Sequence, residues 1–162
     1  MKCVLCYGEA EPLFKCSLKI SEKALGPEHP DVANRLNNLG MLYDHEQRFD
    51  EAEVLFRRAL AINEKVAGSD YAAYAVNLHN LGVLYTDKGK PEQAVSMYEQ
   101  ALTIDERALG LDNPSVVGDL TAMAVALRRL GRISETDLCK QQAARIQDKA
   151  SRERAEPADS KE

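Results

Sequence analysis

The chain has 162 residues, of which 44% are apolar and 29% are charged. That balance favours one folded domain with its own core over a disordered chain. No apolar run approaches the roughly 18 residues that a bilayer span requires, and polar residues interrupt the short apolar start too early for a secretory signal. These features predict a cytoplasmic protein without a membrane partner.

The charge excludes another class of partner. The net charge is −5, and it is uneven, because residues 1–127 hold 12 Lys or Arg against 19 Asp or Glu. A protein that binds nucleic acid needs a cationic face for the phosphates. The acidic body of this chain therefore argues against a nucleic-acid partner.

An internal repeat with a period of 42 residues organises the sequence. A step of one period takes Ala10 to Ala52 and then to Ala94. So many matches at one offset mark an array of structural repeats. The other positions that recur in this way are Phe14, Phe56 and Tyr98; Ser17, Ala59 and Ala101; and Ile20, Ile62 and Ile104.

Each period contains two segments whose apolar residues recur at i, i+3, i+4 and i+7, which is the pattern of an amphipathic helix. Short polar turns separate the two segments, and Gly or Pro connections such as the one at Gly68 follow the second, where they end a helix. Pro12 is expected in the first turn of its helix, where its missing N–H is tolerated. In chain order, the predicted helices span residues 9–25, 31–46, 50–67, 72–88, 91–109, 114–130 and 133–150.

Two sets of residues have the spacing of a known signature. They are Leu36, Leu39, Gly40, Tyr43, Ala52, Phe56 and Ala59, and one period later Leu78, Leu81, Gly82, Tyr85, Ala94, Tyr98 and Ala101. The pattern resembles the tetratricopeptide repeat (TPR) family, and the 42-residue period together with the stretch at 25–39 resembles its kinesin-light-chain type. The resemblance implies an all-α fold: a right-handed α-solenoid of tandem antiparallel helix pairs, stacked into a superhelix.

The domain boundaries follow from the same repeat. Residues 1–8 are predicted to be an N-terminal segment of a truncated repeat, and residues 9–149 are predicted to form the array. Within the array the repeats span 31–67, 72–109 and 114–149. The last helix is more polar than the others, as a terminal cap should be, and residues 150–162 are predicted to be a polar, disordered tail.

In an array of this family the first helix of each pair lines a concave groove. Because Asn both donates and accepts hydrogen bonds, it can hold the backbone of an extended peptide, and the resemblance implies this role for Asn38 and Asn80. The candidate groove has no Lys or Arg and the body of the chain is acidic, so a neutral or basic peptide is the expected partner. The candidate groove residues are Asn34, Asn37, Asn38, Met41, His45, Val76, His79, Asn80, Val83 and Asp87.

Two alternatives to groove binding remain open at this point. The array starts with the second helix of a pair, so one flank, with Leu13, Phe14 and Leu18, lacks a neighbour and is a candidate homodimer contact.

The other alternative is a thiol or metal site at Cys3, Cys6 and Cys16. A zinc ion would require a fourth ligand, and a lone Cys-x-x-Cys is a weak signal; Cys139 is expected to be a small core residue. No phosphate loop or catalytic arrangement is evident, so we expect a protein with neither enzymatic activity nor a cofactor.

Overall fold

The computed structural model describes the backbone of residues 4–67 and 72–155, and the side chains of residues 10–65 and 72–153. Within these ranges the chain forms seven α-helices and no strand. The helices are α1 (Val4–Leu25), α2 (Pro30–His45), α3 (Phe49–Ala67), α4 (Ala72–Asp87), α5 (Pro91–Leu109), α6 (Pro114–Arg129) and α7 (Ile133–Ala155).

The inner helix boundaries agree with the sequence prediction to within one residue, but the two outer ends do not. Helix α1 begins at Val4 instead of residue 9, so Pro12 lies inside the helix and not in its first turn. Helix α7 continues to Ala155, because Arg, Glu and Ala beyond residue 150 are good helix formers. The rest of the predicted tail, residues 156–162, lies outside the described residues, as does the connection at Gly68.

Each helix packs antiparallel against the next one along the chain, and α2 also contacts α4, while α4 also contacts α6. In the described part of the chain, the second helices α3 and α5 have no Cα atoms within 8 Å of each other. The first helices are therefore closer together than the second helices, which places α2, α4 and α6 on the inner, concave side. The array is an all-α solenoid, as predicted.

Glycine allows the two helices of a pair to approach closely. A Cβ atom at Gly40 would lie 2.7 Å from Cε1 of Phe56, and one at Gly82 would lie 2.5 Å from Cε1 of Tyr98. Neither distance is possible for a real side chain, so the aromatic rings require glycine opposite them. The third pair has Ala124 at this position, and there the ring is replaced by Lys140.

The array also reuses one polar contact between a second helix and the first helix that follows it. The Tyr43 hydroxyl donates to Oε1 of Glu11 at 2.9 Å, and the Tyr85 hydroxyl donates to Oε1 of Glu53 at 2.8 Å. Hydrogen bonds from Lys15 and Tyr43 lower the pKa of Glu11 to about 2. These contacts join α1 to α2 and α3 to α4.

Candidate binding groove

The groove face of α2 carries most of the predicted polar residues. Asn34, Asn38, Met41 and His45 are all exposed on this helix. The side-chain amide of Asn38 has no hydrogen-bond partner among the described residues. This face therefore presents an amide that is free to donate and accept.

The same face of α4 is less open. Val76 and Asp87 are exposed, whereas His79, Asn80 and Val83 are partly buried. The Asn80 amide also lacks a hydrogen-bond partner in the described part of the chain. Asn38 and Asn80 thus occupy one register position on two helices that contact each other.

Asn37 is a correction to the predicted groove. It is only 7% exposed, and its amide Nδ2 donates to Oδ1 of Asn77 on α4. The reason is that the position of Asn37 faces the neighbouring first helix, so its side chain is used to join two repeats. Asn37 is therefore a packing residue between α2 and α4.

Asn37 and Asn77 belong to a buried polar cluster that the sequence analysis missed. The third member is Asn63 on α3, which is 2% exposed and donates from Nδ2 to the carbonyl of Ala73 at 3.4 Å. We call Asn37, Asn63 and Asn77 the first junction. All three amides are neutral, so their burial requires hydrogen bonds but no ionisation.

One period later the same three positions carry ionisable groups. They are His79 on α4, Asp105 on α5 and Asp119 on α6, and we call them the second junction. The imidazole Nδ1 of His79 lies 2.6 Å from Oδ1 of Asp119, which repeats the contact between Asn37 and Asn77. The sequence contains a signal for this equivalence. Positions 79, 105 and 119 lie one period of 42 residues after positions 37, 63 and 77.

Both carboxylates of the second junction are buried. Asp105 is 4% exposed and Asp119 is 3% exposed. Oδ1 of Asp105 and Oδ2 of Asp119 accept no hydrogen bond from the described residues. Burial, and then the negative charge of Asp119, raise the pKa of Asp105, and a hydrogen bond from Ser115 counteracts this only in part. The second junction therefore holds more negative charge than its own hydrogen bonds satisfy.

A cavity of about 250 Å³ opens beside these carboxylates, between α4, α5 and α6. Its acidic lining is Asp105 and Asp119, and His79 also lines it. The His79 ring meets the Tyr98 ring edge-on, with centroids 5.5 Å apart. Val76 and Gly118 line the cavity where α4 and α6 face the groove.

Asp44 and Asp87 form a second acidic pair, near the C-terminal ends of α2 and α4. Burial and repulsion from Asp87 raise the pKa of the Asp44 carboxyl to about 6, and the charge of His45 counteracts the shift only in part. Asp44 was not among the predicted groove residues. The two acidic pairs give this side of the groove a negative character.

The predicted flank is only partly open. Leu13 is 71% exposed, and Phe14 is half-buried against the core. Leu18 is a correction, since it is buried in the core and so cannot contribute to a free surface. Ile20, which the sequence analysis placed in the repeat but not on the flank, is 62% exposed.

The cysteines divide between surface and core. Cys16 is exposed, and Cys139 is buried as predicted. Cys3 lies outside the described residues, and so does the side chain of Cys6, so the structure does not test the thiol cluster. No group of three His, Cys, Asp or Glu within the described side chains could hold a metal ion.

Comparison with known proteins places the array in a family. The tetratricopeptide repeat model matches residues 6–65, 36–107 and 75–156, which together cover nearly the whole chain. The chain belongs to the tetratricopeptide repeat family. This match confirms the family that the signature residues predicted. No protein of curated function matches the sequence of this TPR protein.

Solved structures agree with this TPR assignment. The crystal structure of BtubC (BKLC) from P. vanneervenii is 24% identical over 96% of this chain, with a TM-score of 0.81. The chain spans 61% of the length of that protein. Two crystal structures of a putative kinesin light chain of Podospora anserina with nearly identical TPR-like repeats are 27% identical to this chain. The TM-score is 0.75 for the structure of a variant and 0.72 for the other structure, and each match covers 90% of this chain and 69% of that one.

Family membership sets the general role. TPR arrays generally act as protein–protein interaction scaffolds and are generally not catalytic, although a fold alone does not name a partner. No helix in the described part of this TPR protein is long and apolar enough to cross a bilayer.

Proposed function

We propose that this protein is a non-enzymatic adaptor that holds an extended segment of a protein partner along the concave face of α2, α4 and α6. The observation that carries the proposal is the pair of amides at Asn38 and Asn80. They recur one period apart on helices in contact, and neither is used within the described part of the chain. Two such amides can bind the backbone of a segment whatever its side chains are.

The charge of the groove favours one class of segment. Asp87 is exposed on α4, and Asp44, Asp105 and Asp119 lie on or beside the same face. Opposite potentials speed association and align partners, whereas like charges disfavour binding. The proposed partner segment is therefore neutral or basic, and an acidic segment is disfavoured.

The test selects ligands from a displayed library of 16-residue peptides and measures their affinity by fluorescence anisotropy. We expect Asn38→Ala with Asn80→Ala to weaken a selected peptide by about 1 to 3 kcal/mol in total, because each lost amide bond is worth roughly 0.5 to 1.5 kcal/mol. Circular dichroism should show unchanged helix content, since both side chains lie outside the core.

The matched control removes two amides from outside the groove. Gln93→Ala with Gln141→Ala changes exposed residues of α5 and α7, so the peptide affinity should stay the same. Equal affinities for the Asn variant, the Gln variant and the unmodified protein would show that the groove amides do not bind the segment.

A second candidate is self-association through the flank of α1. Ile20 is 62% exposed, whereas Ile62 and Ile104 at the same register are 4% and 8% exposed because a first helix covers them. Helix α1 thus exposes an apolar residue at a position that is covered in α3 and α5.

Light scattering tests this candidate. If the purified chain is a dimer, Leu13→Glu should convert it to a monomer, because a charge cannot be buried in an apolar contact without a partner. Val54→Glu is the control, since Val54 is similarly exposed, at 66%, on α3. A monomeric unmodified chain would rule out the flank as a dimer contact.

A further inference from the structure

We propose that the cavity between α4, α5 and α6 binds the side-chain cation of a lysine or arginine carried by the partner segment. This inference rests on the proposed groove function and adds a specific recognition site to it. The lining residues Asp105, Asp119 and His79 carry the argument.

The second junction has more buried negative charge than its hydrogen bonds compensate. Two carboxylates more than nine-tenths buried face one imidazole, and each carboxylate keeps one oxygen without a donor from the described residues. No lysine or arginine in the described part of the chain forms an ion pair with Asp105 or Asp119. Buried carboxylates are normally paired, so an external donor with positive charge would complete the site.

The cavity is accessible from the groove. One period apart, the groove-facing position carries Asn34, Val76 and Gly118. A Cβ atom added at Gly118 would meet nothing within 4 Å, so the missing side chain leaves open space at the mouth of the cavity. A side chain from a segment in the groove could therefore reach Asp105 and Asp119 from the side of α6.

The lining of the cavity indicates which class of cation it would bind. The lining combines apolar surface from Ala75 and Val76 with the acidic oxygens of Asp105 and Asp119. Lysine and arginine have this same composition, since an apolar stem carries the charged group. Guanidinium and ammonium groups bound to carboxylates form the strongest class of side-chain hydrogen bond. The described residues do not offer metal-binding geometry here, and an anion would be repelled.

The experiment uses four capped pentapeptides of alanine whose central residue is lysine, arginine, norleucine or citrulline. Binding is followed by NMR titration of the amide signals of Val76, His79, Ser115 and Gly118. We expect the lysine and arginine peptides to shift these signals and to bind about tenfold more tightly than their neutral analogues, with binding weakened by added salt. n-Butylammonium chloride provides a free amine for comparison.

The first variant is Asp105→Asn with Asp119→Asn. It installs the residues that the first junction already has at Asn63 and Asn77, so the fold should tolerate it. We expect this variant to bind the charged and neutral peptides equally. The control Asp137→Asn with Asp148→Asn removes the same charge from exposed positions of α7, and it should keep the preference for lysine and arginine.

A second variant leaves the charge unchanged. Gly118→Val places in the third repeat the residue found at Val76, and its Cβ meets no protein atom within 4 Å. It should narrow the mouth of the cavity and reduce binding of the lysine peptide about tenfold while the protein remains folded.

Three results would overturn the proposal. They are equal binding of charged and neutral peptides, an equal loss of preference in the α7 control, and tighter binding of n-butylammonium than of the lysine peptide. The outcomes also separate the two proposals. If library peptides depend on Asn38 and Asn80 but not on any lysine or arginine, the groove function stands and the cation site is wrong.

Discussion

The first and second junctions occupy the same three positions of the repeat, yet they have different chemistry. Asn37 contacts Asn77 across α2 and α4, and His79 contacts Asp119 across α4 and α6. The backbone repeat therefore decides where a polar cluster is buried. The side chains at those positions then decide whether the cluster is neutral or ionisable.

The difference has an energetic consequence. A buried amide needs only hydrogen bonds, whereas a buried carboxylate also loses the hydration of its charge. At the second junction this loss appears as the raised pKa of Asp105, which burial and the charge of Asp119 both produce. Both junctions keep buried polar atoms without a partner among the described residues, but only the second junction holds buried charge.

The largest expected effect comes from giving the first junction the acids of the second. Asn63→Asp with Asn77→Asp would bury two carboxylates at positions that are 2% and 0% exposed. We expect a loss of about 3 kcal/mol in the free energy of unfolding at pH 7, because neither charge would have a cationic partner. Urea denaturation followed by circular dichroism would measure it.

A matched pair of exposed residues is the control for this prediction. Asn34→Asp with Asn38→Asp adds the same charge on the open face of α2 and should change the stability by no more than about 0.5 kcal/mol. Adding Asn37→His to the junction variant should restore part of its stability. If the two double variants were equally stable, the comparison between the junctions would lose its energetic basis.

A smaller and opposite effect is expected at the second junction. Asp105→Asn should raise the stability at pH 7 by about 1 kcal/mol, because it removes a charge that burial disfavours. The folded-state pKa of Asp105 lies above the ordinary value of 3.8, so ionisation favours the unfolded chain. Stability due to this group is therefore greatest below pH 3.8 and falls as the pH rises through the raised pKa.

The measurement compares Asp105→Asn with the unmodified protein in urea at several pH values. The advantage of the variant should be largest at pH 7 and should disappear toward pH 3.8. Asp137→Asn, an exposed change on α7, should show no such dependence. A variant that is less stable at pH 7 would mean that the Asp105 charge is already compensated within the fold.

Much of the fold could be predicted because the apolar pattern that forms each helix is local and recurs every 42 residues. The apolar period predicted the inner helix boundaries, and the signature that contains Gly40 and Phe56 predicted the helix pairs in which these two residues meet. The outer ends were less predictable, since α1 and α7 each extend beyond their predicted limits. Good helix formers continue a helix past the limits that the apolar pattern sets.

The candidate site was only partly predictable. Exposure of Asn34, Asn38, Met41 and His45 agrees with the expected groove face of α2. Asn37 and Leu18 were misplaced, because a position near the edge of an amphipathic stripe can face either solvent or the next helix. That choice depends on how neighbouring repeats are rotated against each other, which a single helix pattern does not contain.

The sequence by itself determined the helices, their pairing and the small residues between them. These features depend on contacts within one helix or between two helices that follow each other along the chain. Tertiary structure alone decided that His79, Asp105 and Asp119, from three different helices, share one buried cluster beside a cavity. The physical reason is that the superhelical stacking of repeats, which sums many weak contacts along the whole array, sets which faces of α4, α5 and α6 meet.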